Sequence, residues 1–163
     1  MNAERERPHV TVRPVTGLDA GLLLTWANDP AARAQSFRPD RIEAGTHERW
    51  LAERLASPSS RLLIGLEGGE PIGQVRFDRN PDGAAEVGIS VAAGARNRGL
   101  GRALLDAGLA AARLDESLGV RVFVARIRLD NEASAALFRG AGFRFVEQSV
   151  CNGVPCLVFE LAA

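Results

Sequence analysis

The stretch ARNRGLGRALLDAGLAAARL, residues 95–114, decides how this chain folds. Residues 96–102 hold three arginines and two glycines, and an amphipathic helical pattern follows them. The first turn of a helix has free N–H groups and a positive dipole end, and glycines let the backbone approach an anion. A strand pattern, AAEVGISVA at residues 84–92, comes just before this stretch. A strand, a glycine-rich loop and a helix in this order predict a phosphate-binding site.

The basic side chains of this stretch favour the same interpretation. Arg96, Arg98 and Arg102 can add charge-assisted hydrogen bonds to a bound phosphate. The stretch lacks the Lys-Ser/Thr end of a Walker loop and the third glycine of a Rossmann fingerprint. A helix start with solvent-exposed arginines is the alternative.

The composition indicates one globular domain, residues 1–163, with 46% hydrophobic and 25% charged residues. The 20 basic residues, all of them arginine, balance 20 acidic ones. A net charge of zero favours neither nucleic acid nor a membrane surface as partner. The charged start, MNAERERPHV, lacks the apolar region of a secretory signal, and no run has the roughly 18 apolar residues of a membrane span. We therefore expect a cytoplasmic protein.

The two cysteines, Cys151 and Cys156, flank a strong hairpin signal, Asn152-Gly153. If those two residues form the turn, Cys151 faces Val154 and not Cys156. A disulfide is then not expected, and the extra ligands of a zinc site are missing. The pattern predicts two reduced thiols and no metal.

The remaining periodicity predicts a mixed α/β sheet with helices on both faces. Thr16 with Asp19 can form a capping box, Thr46 and Asn131 can cap later helices, and Gly119 can end the long one. The predicted strands are residues 9–15, 61–67, 71–79, 84–92, 120–127, 143–150 and 154–161. The predicted helices are residues 17–29, a short turn after Pro30, and residues 47–57, 99–118 and 132–142. The predicted buried stripe of the long helix is Leu100, Leu104, Ala107, Ala111, Leu114 and Leu118.

The third and fourth predicted strands carry enough pattern to predict their register. Their apolar residues occupy odd positions, and facing residues in a ladder share a face. Odd positions must therefore pair with odd ones, which requires a loop of odd length. This register puts Arg76 or Asp78 opposite Glu86.

Two motifs resemble the GNAT superfamily of acyl-CoA N-acyltransferases. RNRGLG, residues 96–101, resembles its R/Q-x-x-G-x-G/A signature, and NEASAALFRGAGF, residues 131–143, resembles its N-x-x-(A/S)-x-x-L-Y/F-x-x-x-G-F block. The resemblance implies the GNAT fold, a mostly antiparallel mixed sheet of six or seven strands that splays at its centre. It also implies acetyl-CoA as cofactor and a small-molecule amine as substrate, and it leaves open whether the chain forms a homodimer.

The resemblance further implies where coenzyme A binds. Backbone N–H groups of residues 98–102 would hold the pyrophosphate, and the strand around Ser90 would pair with pantetheine, with a bulge that aims an N–H at the thioester carbonyl. Asn131 and Ser134 would lie beside pantetheine and Phe138 against the cofactor. The cofactor-binding candidates are Ile89, Ser90, Val91, Arg96, Asn97, Arg98, Gly99, Leu100, Gly101, Arg102, Asn131, Ser134 and Phe138.

Transfer to an amine needs a base, because an ammonium has no lone pair. Glu86 is the first candidate and Asp78 the second, with Ser90 as a further catalytic candidate; for Glu86, the alternative is a cross-strand ion pair with Arg76. Many family members have a tyrosine where this chain has Phe138, and it protonates the leaving thiolate. The sequence has no tyrosine, so water, Ser134 or another group must serve, or the thiolate leaves unprotonated.

The N-terminal half forms the acceptor side in this superfamily. Residues 26–37 resemble a W-x-N-D/H-P-x-x-R-x-x-S/M-F block of acetyltransferases that act on nucleotide-linked amino sugars in the pseudaminic-acid pathway. A related pattern occurs in ribosomal-protein N-terminal acetyltransferases, and a non-enzymatic acyl-CoA sensor is the third hypothesis. Arginines would bind phosphates and aromatic rings would stack on a base or sugar, although core packing is the alternative for both tryptophans. The substrate-binding candidates are Trp26, Asn28, Arg33, Phe37, His47, Trp50, Gln74 and Arg76.

Overall fold

A computed structural model describes residues 7–163, which form one seven-stranded mixed sheet with strand order β1-β2-β3-β4-β5-β7-β6. The strands are β1 (Thr11–Pro14), β2 (Ser60–Glu67), β3 (Glu70–Arg79), β4 (Ala84–Val91), β5 (Val122–Arg128), β6 (Arg144–Cys151) and β7 (Val154–Ala162). The helices are α1 (Ala20–Ala27), α2 (Pro30–Ala34), α3 (Ala44–Ala56), α4 (Leu100–Leu114) and α5 (Glu132–Gly140), with short 3₁₀ turns at Gly17–Asp19 and Ala93–Ala95. The predicted mixed α/β sheet is confirmed.

The sheet splays between β4 and β5, its one parallel pair. These strands share only three register pairs, the last of which joins Glu86 to Val124. Beyond it, β4 continues along β3 as far as Val91, and β5 continues along β7 as far as Arg128. The β3–β4 register runs without a shift from Arg79↔Ala85 to Gly73↔Val91, so the predicted bulge around Ser90 is wrong. The strands separate because each follows its outer antiparallel neighbour.

Helices cover both faces of the sheet, as predicted. On one face α4 and α5 pack against the odd residues of β3 and β4, including Val75, Phe77 and Val87. On the other face Leu23 and Trp26 of α1 and Leu51 of α3 pack on the even residues of β2. The even positions of β3 and β4 share this second face, since Ile64 of β2 pairs with Gln74.

The predicted register of β3 and β4 is confirmed. Odd residues pair with odd ones, and Asp78 lies directly opposite Glu86. The N–H of Asn80 donates to the carbonyl of Ala84 at 2.9 Å, which leaves the odd-length loop 81–83. Gly83 in this loop has φ +90°, a left-handed conformation that favours glycine.

The first helical region begins and ends as its signals predict. The N–H of Thr16 donates to the Asp19 carboxylate at 2.8 Å, which is one half of the predicted capping box. Pro30 starts α2, and the Asp29 carboxylate caps it by accepting from the N–H of Ala32 at 3.0 Å.

Two predicted helix ends are wrong. α3 begins at Ala44, before the predicted cap Thr46, because Glu43 supplies the extended residue at the helix start. α4 ends at Leu114 and not at residue 118. Asp115 turns the chain there, since its carboxylate accepts from the N–H of Leu118 at 3.1 Å and pairs with Arg61 at 2.6 Å. Gly119 then lies beyond the helix, with φ +61°.

The buried face of α4 also differs from the predicted stripe. Leu114 is 83% exposed, whereas Leu105 and Leu109 are buried. Gly108 explains why the buried face is rotated from the predicted stripe. A Cβ at this position would lie 2.5 Å from Cγ1 of Val75, so the helix packs closely on the sheet at this glycine. The residues of α4 that are buried are Leu100, Leu104, Leu105, Gly108, Leu109 and Ala112.

The C-terminal hairpin has the predicted turn. Asn152 and Gly153 have φ 50° and 75°, and Cys151 pairs with Val154. Both cysteines are free thiols, yet their Sγ atoms lie 3.0 Å apart. The predicted register excludes only that the two cysteines face each other directly. Their side chains are instead diagonal neighbours on one face of the hairpin.

Within residues 7–163, no helix has both the length and the apolar content to cross a membrane. The same residues contain no cluster of three or more side chains suited to hold a metal ion. The first six residues of the N-terminus, which is predicted not to be a secretory signal, lie outside the described residues.

Candidate active site

The loop before α4 has the backbone geometry of an anion-binding site. We call residues 96–102 the phosphate loop. Asn97 and Gly99 have φ 61° and 74°, and α4 begins at Leu100. The first N–H groups of α4, those of Leu100, Gly101 and Arg102, have no partner within a helix of this geometry. A Cβ at Gly99 would meet only Pro8, 3.8 Å away, so the loop is open on this side.

An open cleft of about 900 Å³ lies against this loop. Its walls come from the exposed face of α4 and from the segment before β1. The lining residues are Arg7, Pro8, His9, Val10, Asn97, Arg98, Gly99, Arg102, Ala103, Asp106 and Ala107. The cleft gives a ligand bound at the phosphate loop room to extend along α4.

Carboxylates already engage the three arginines of the phosphate loop. Arg96 donates to Asp29 at 2.8 Å and to the carbonyl of Val91 at 3.1 Å. Arg98 pairs with Glu67 at 2.8 Å and Arg102 with Asp106 at 2.9 Å. Binding of phosphate by these guanidiniums therefore stays a prediction that requires an exchange of partners. The amides of the loop need no such exchange.

The strand residues predicted to bind the cofactor lie beyond the splay. Ile89, Ser90 and Val91 pair with β3 on one side and have no ladder partner on β5. Ser90 faces Gln74 in the β3–β4 register. The Ser90 hydroxyl and the Gln74 carbonyl oxygen are buried and have no hydrogen-bond partner among the described residues. Unsatisfied buried polar atoms at a gap in a sheet are typical of a ligand site.

The α5 side of the site is held by a local cap. Asn131 accepts from the N–H of Ser134 at 3.1 Å, so its side-chain oxygen fixes the first turn of α5. Phe138 is 2% exposed and packs edge-on against Phe143 with a centroid distance of 5.0 Å. Phe138 is thus part of the main core, and its contact with a cofactor stays a prediction.

The two candidate bases differ in their partners. Asp78 accepts from the Ser60 hydroxyl at 2.7 Å and pairs with Arg76 at 2.8 Å and Arg54 at 3.2 Å. Glu86 is 54% exposed at its side chain, and its one ion-pair partner among residues 7–163 is Arg126 at 3.6 Å. Glu86 is therefore the less engaged carboxylate.

The alternative interpretation of Glu86, a cross-strand ion pair with Arg76, is wrong. Arg76 pairs with Asp78 on its own strand, and Glu86 faces Arg126 of β5, which lies beyond its parallel partner Val124. Arg126 and Arg54 were not among the residues predicted for the site. The alternation of β5 could have indicated Arg126, since it breaks a nearly continuous apolar run.

Aromatic side chains line the same face of the sheet as Glu86. The guanidinium of Arg76 stacks over the ring of Trp50 at 5.5 Å, and His47 lies 5.4 Å from that ring. His47 is 5% exposed, and burial lowers its pKa below the ordinary value. Burial therefore favours the neutral imidazole, and its Nδ1 has no partner among the described residues.

The other predicted acceptor residues mostly hold the local structure. Trp26 is buried in the α1–α3 core, as its alternative interpretation stated. Asn28 donates to the carbonyl of Ile42 at 2.9 Å and accepts from its N–H at 2.8 Å, so both ends of its amide hold the backbone of Ile42. Arg33 donates to the carbonyl of Arg38 at 2.8 Å, and burial lowers its pKa. Phe37 packs on the cluster of Val124, Cys156 and Val158.

Comparison with known proteins identifies the family of this chain. A profile of the acetyltransferase (GNAT) domain matches residues 9–144, which is most of the chain. No curated protein matches the sequence significantly.

Several solved structures share the fold. The structure of the aminoglycoside acetyltransferase AAC(6')-Ib in complex with paromomycin and acetyl-CoA is 20% identical with a TM-score of 0.82, and the match covers 94% of this chain and 93% of that one. Spermidine N-acetyltransferase from Vibrio cholerae, in complex with CoA and spermine, is 16% identical with a TM-score of 0.82 and coverages of 94% and 95%. A ribosomal-protein-alanine N-acetyltransferase from Brucella melitensis is 24% identical with a TM-score of 0.78 and coverages of 93% and 99%.

The profile covers both the free amides before α4 and the gap between β4 and β5. The chain belongs to the GNAT acetyltransferase family and is an acetyl-CoA-dependent N-acetyltransferase.

Proposed function

We propose that this enzyme transfers an acetyl group to the primary amine of a nucleotide-linked amino sugar by direct attack of the amine. The observation that carries the proposal is the position of an arginine-bearing segment next to Glu86. Phe37 packs against the cluster of Val124, Cys156 and Val158, and Val124 is the ladder partner of Glu86. The segment between α2 and α3 thus lies over the sheet beside the proposed base.

The residues present fit the cofactor. The free amides of the phosphate loop can donate to a diphosphate. The gap between β4 and β5 can take the extended pantetheine arm, whose own amides can hydrogen-bond to an unpaired strand. Acetyl-CoA would supply the acetyl group as a thioester. The residues proposed to hold it are the phosphate loop, residues 89–91 of β4, and Asn131 and Ser134 of α5.

Glu86 is proposed as the base. Glu86 occupies the last position of β4 that pairs with β5, just before the two strands separate, and its side chain is half exposed. The thioester end of pantetheine would lie at this point. Its carboxylate can take a proton from the incoming ammonium, directly or through one water. Asp78, opposite Glu86, stays ion-paired with Arg54 and Arg76 and would act on the charge of the site and not as the base.

The acceptor would be recognised by its phosphates and its rings. None of Arg33, Arg38 and Arg41 forms an ion pair with a carboxylate of residues 7–163, so these guanidiniums have no acidic partner to give up. Arginine binds phosphate through paired N–H groups, which suits a nucleoside diphosphate. The half-buried ring of Trp50, with Arg76 stacked on it, offers a surface for a sugar or base.

The test measures acetyl transfer to a panel of acceptors. The loss of ultraviolet absorbance by the acetyl-CoA thioester reports the rate. The panel holds a uridine-diphosphate-linked amino sugar, the same amino sugar without the nucleotide, an N-terminal peptide, a polyamine and an aminoglycoside. We expect kcat/KM for the nucleotide-linked sugar to exceed the free sugar by about 100-fold, because the two phosphates add charge-assisted hydrogen bonds.

A peptide N-terminus is the competing acceptor. A higher kcat/KM for the peptide than for the nucleotide sugar would overturn the proposal in favour of protein N-terminal acetylation. Equal rates for the free and the nucleotide-linked sugar would remove the role given to the arginine segment.

A further inference from the structure

The two cysteines lie closer together than their register requires. Their Sγ atoms are 3.0 Å apart across the β6–β7 hairpin. Cys156 has no exposed surface and Cys151 is partly exposed. None of the acetyl-transfer steps proposed above uses either thiol.

The hairpin holds this approach in place. Its two-residue turn has both residues in the left-handed region, with φ 50° at Asn152 and 75° at Gly153, which matches the twist of the strands. Cys151 pairs with Val154 and Cys156 with Ser149, so the thiols are diagonal neighbours on one face. A disulfide has an S–S length of about 2.0 Å, so the sulfurs need to approach by roughly 1 Å. Diagonal neighbours in a ladder have Cα atoms about 7–8 Å apart, at the upper limit for a disulfide, so closure combines side-chain rotation with a small shift of the two strands.

We propose that Cys151 and Cys156 form a thiol-oxidation site that closes reversibly to an intramolecular disulfide. The oxidant is a small-molecule disulfide such as oxidised glutathione. The Cys151 thiolate attacks one sulfur of the reagent, which breaks the reagent bond and releases one thiolate. The released thiolate takes the proton of Cys156, whose sulfur then attacks Sγ of Cys151 and releases the second thiolate. The protein loses two hydrogens, and the reagent disulfide becomes two thiols.

The environments of the two thiols set the order of these steps. Cys156 is buried in a cluster with Val124 and Val158, and burial together with the hydrogen bond to Cys151 raises its pKa to about 11. A buried thiol that holds its proton does not react with reagents from solution. Cys151 is the accessible partner, so the reagent attaches there first and Cys156 completes the bond.

The position of the site gives the bond a consequence. Cys156 belongs to the same cluster as Val124, the ladder partner of Glu86, and Phe37 packs against this cluster; we call the cluster and Phe37 the wall beside Glu86. Closure of the bond braces the end of this wall and raises its stability. An effect on acceptor binding rests on the proposed function, whereas formation of the bond does not.

The test uses the full chain, incubated with oxidised glutathione and then denatured for thiol counting and intact mass measurement. We expect loss of both free thiols, a mass lower by two hydrogens, a monomer on non-reducing gels and full reversal by dithiothreitol. A stable glutathione adduct with one thiol still free, or a disulfide-linked dimer, overturns the proposal.

Two serine variants assign the order. Cys156→Ser should stop at a glutathione adduct on Cys151, and Cys151→Ser should not react in the folded state. Rapid modification of Cys151→Ser would show that Cys156 is accessible and would overturn the order proposed.

A thermal melt tests the bracing of the wall. Oxidised wild type should melt about 5 °C above the reduced protein, since a short closed loop still restricts the unfolded chain. An unchanged Tm in a protein shown by mass to be oxidised would overturn the bracing. With the disulfide formed, the acceptor KM should change at least twofold while the Kd of acetyl-CoA stays the same. An unchanged KM removes the link to the acceptor site but leaves the oxidation site.

Discussion

The proposed cofactor side and the proposed acceptor side of this enzyme are built by different means. The cofactor side consists of backbone: two left-handed residues, the free amides before α4 and a ladder gap after Glu86. The acceptor side depends on side chains, such as Asn28 holding Ile42 and Arg33 holding the carbonyl of Arg38. A backbone site is encoded by a short local motif, whereas a side-chain site depends on contacts between distant residues. The four predictions below test this difference, from the largest expected effect to the smallest.

Gly99→Glu should remove acetyl-CoA binding. The positive φ of Gly99 disfavours any side chain, and a carboxylate at the free amides repels a diphosphate. We expect Kd to rise at least about 1000-fold by isothermal titration, which corresponds to roughly 4 kcal/mol. Gly21→Glu, at an open position of α1, is the charge-matched control and should bind normally. Tight binding by Gly99→Glu would mean that the phosphate lies elsewhere.

Glu86→Gln should lower kcat by about 100-fold at neutral pH, because the amide cannot take a proton. The change keeps the shape of the side chain, so the Kd of acetyl-CoA should stay the same. Exposed Glu116→Gln provides the control for loss of one negative charge. A wild-type kcat in Glu86→Gln would leave Glu86 only as the partner of Arg126.

Asp19 tests how far the acceptor side depends on ion pairs. Arg13 and the N–H of Thr16 bind its carboxylate and lower its pKa from 3.8 to about 2. A carboxyl with a lowered folded pKa stabilises the fold above its unfolded pKa and loses that effect as the pH falls through the folded one. Asp19→Asn should therefore cost about 2 kcal/mol at pH 7.

Urea unfolding at several pH values measures this difference. The gap between wild type and Asp19→Asn should narrow as the pH falls from about 4 to about 2. Exposed Asp82→Asn should show no comparable gap at pH 7. A gap that keeps its size down to pH 2 would show that packing, and not charge, is the cause.

Arg33→Gln should raise the acceptor KM about 10-fold and leave the Kd of acetyl-CoA unchanged, since one phosphate contact is lost. Arg49→Gln removes the same charge from an exposed position of α3 and should be neutral. If Arg33→Gln changes both the acceptor KM and the Kd of acetyl-CoA, binding of the acceptor and binding of the cofactor are coupled.

The same difference explains what could be predicted from the sequence. The register that sets Asp78 opposite Glu86 follows from alternation alone, and the Asn131 cap follows from one local motif. The partner of Glu86 could not be predicted, because Arg126 comes from a strand whose parallel neighbour is fixed only by the tertiary fold. The predicted end of α4 was wrong because it also depends on a contact between distant residues: Arg61 of β2 forms an ion pair with Asp115, where the chain leaves the helix. The sulfur contact depends on side-chain rotation, which no register gives.

One carboxylate joins the two sides. Oδ2 of Asp29 accepts both from the N–H of Ala32, at 3.0 Å, and from the guanidinium of Arg96, at 2.8 Å. A movement of residues 96–99 therefore pulls on the first turn of α2. Substitution of Asp29 itself should alter the kinetic constants of both substrates together, so engineering a new acceptor preference should leave this oxygen untouched.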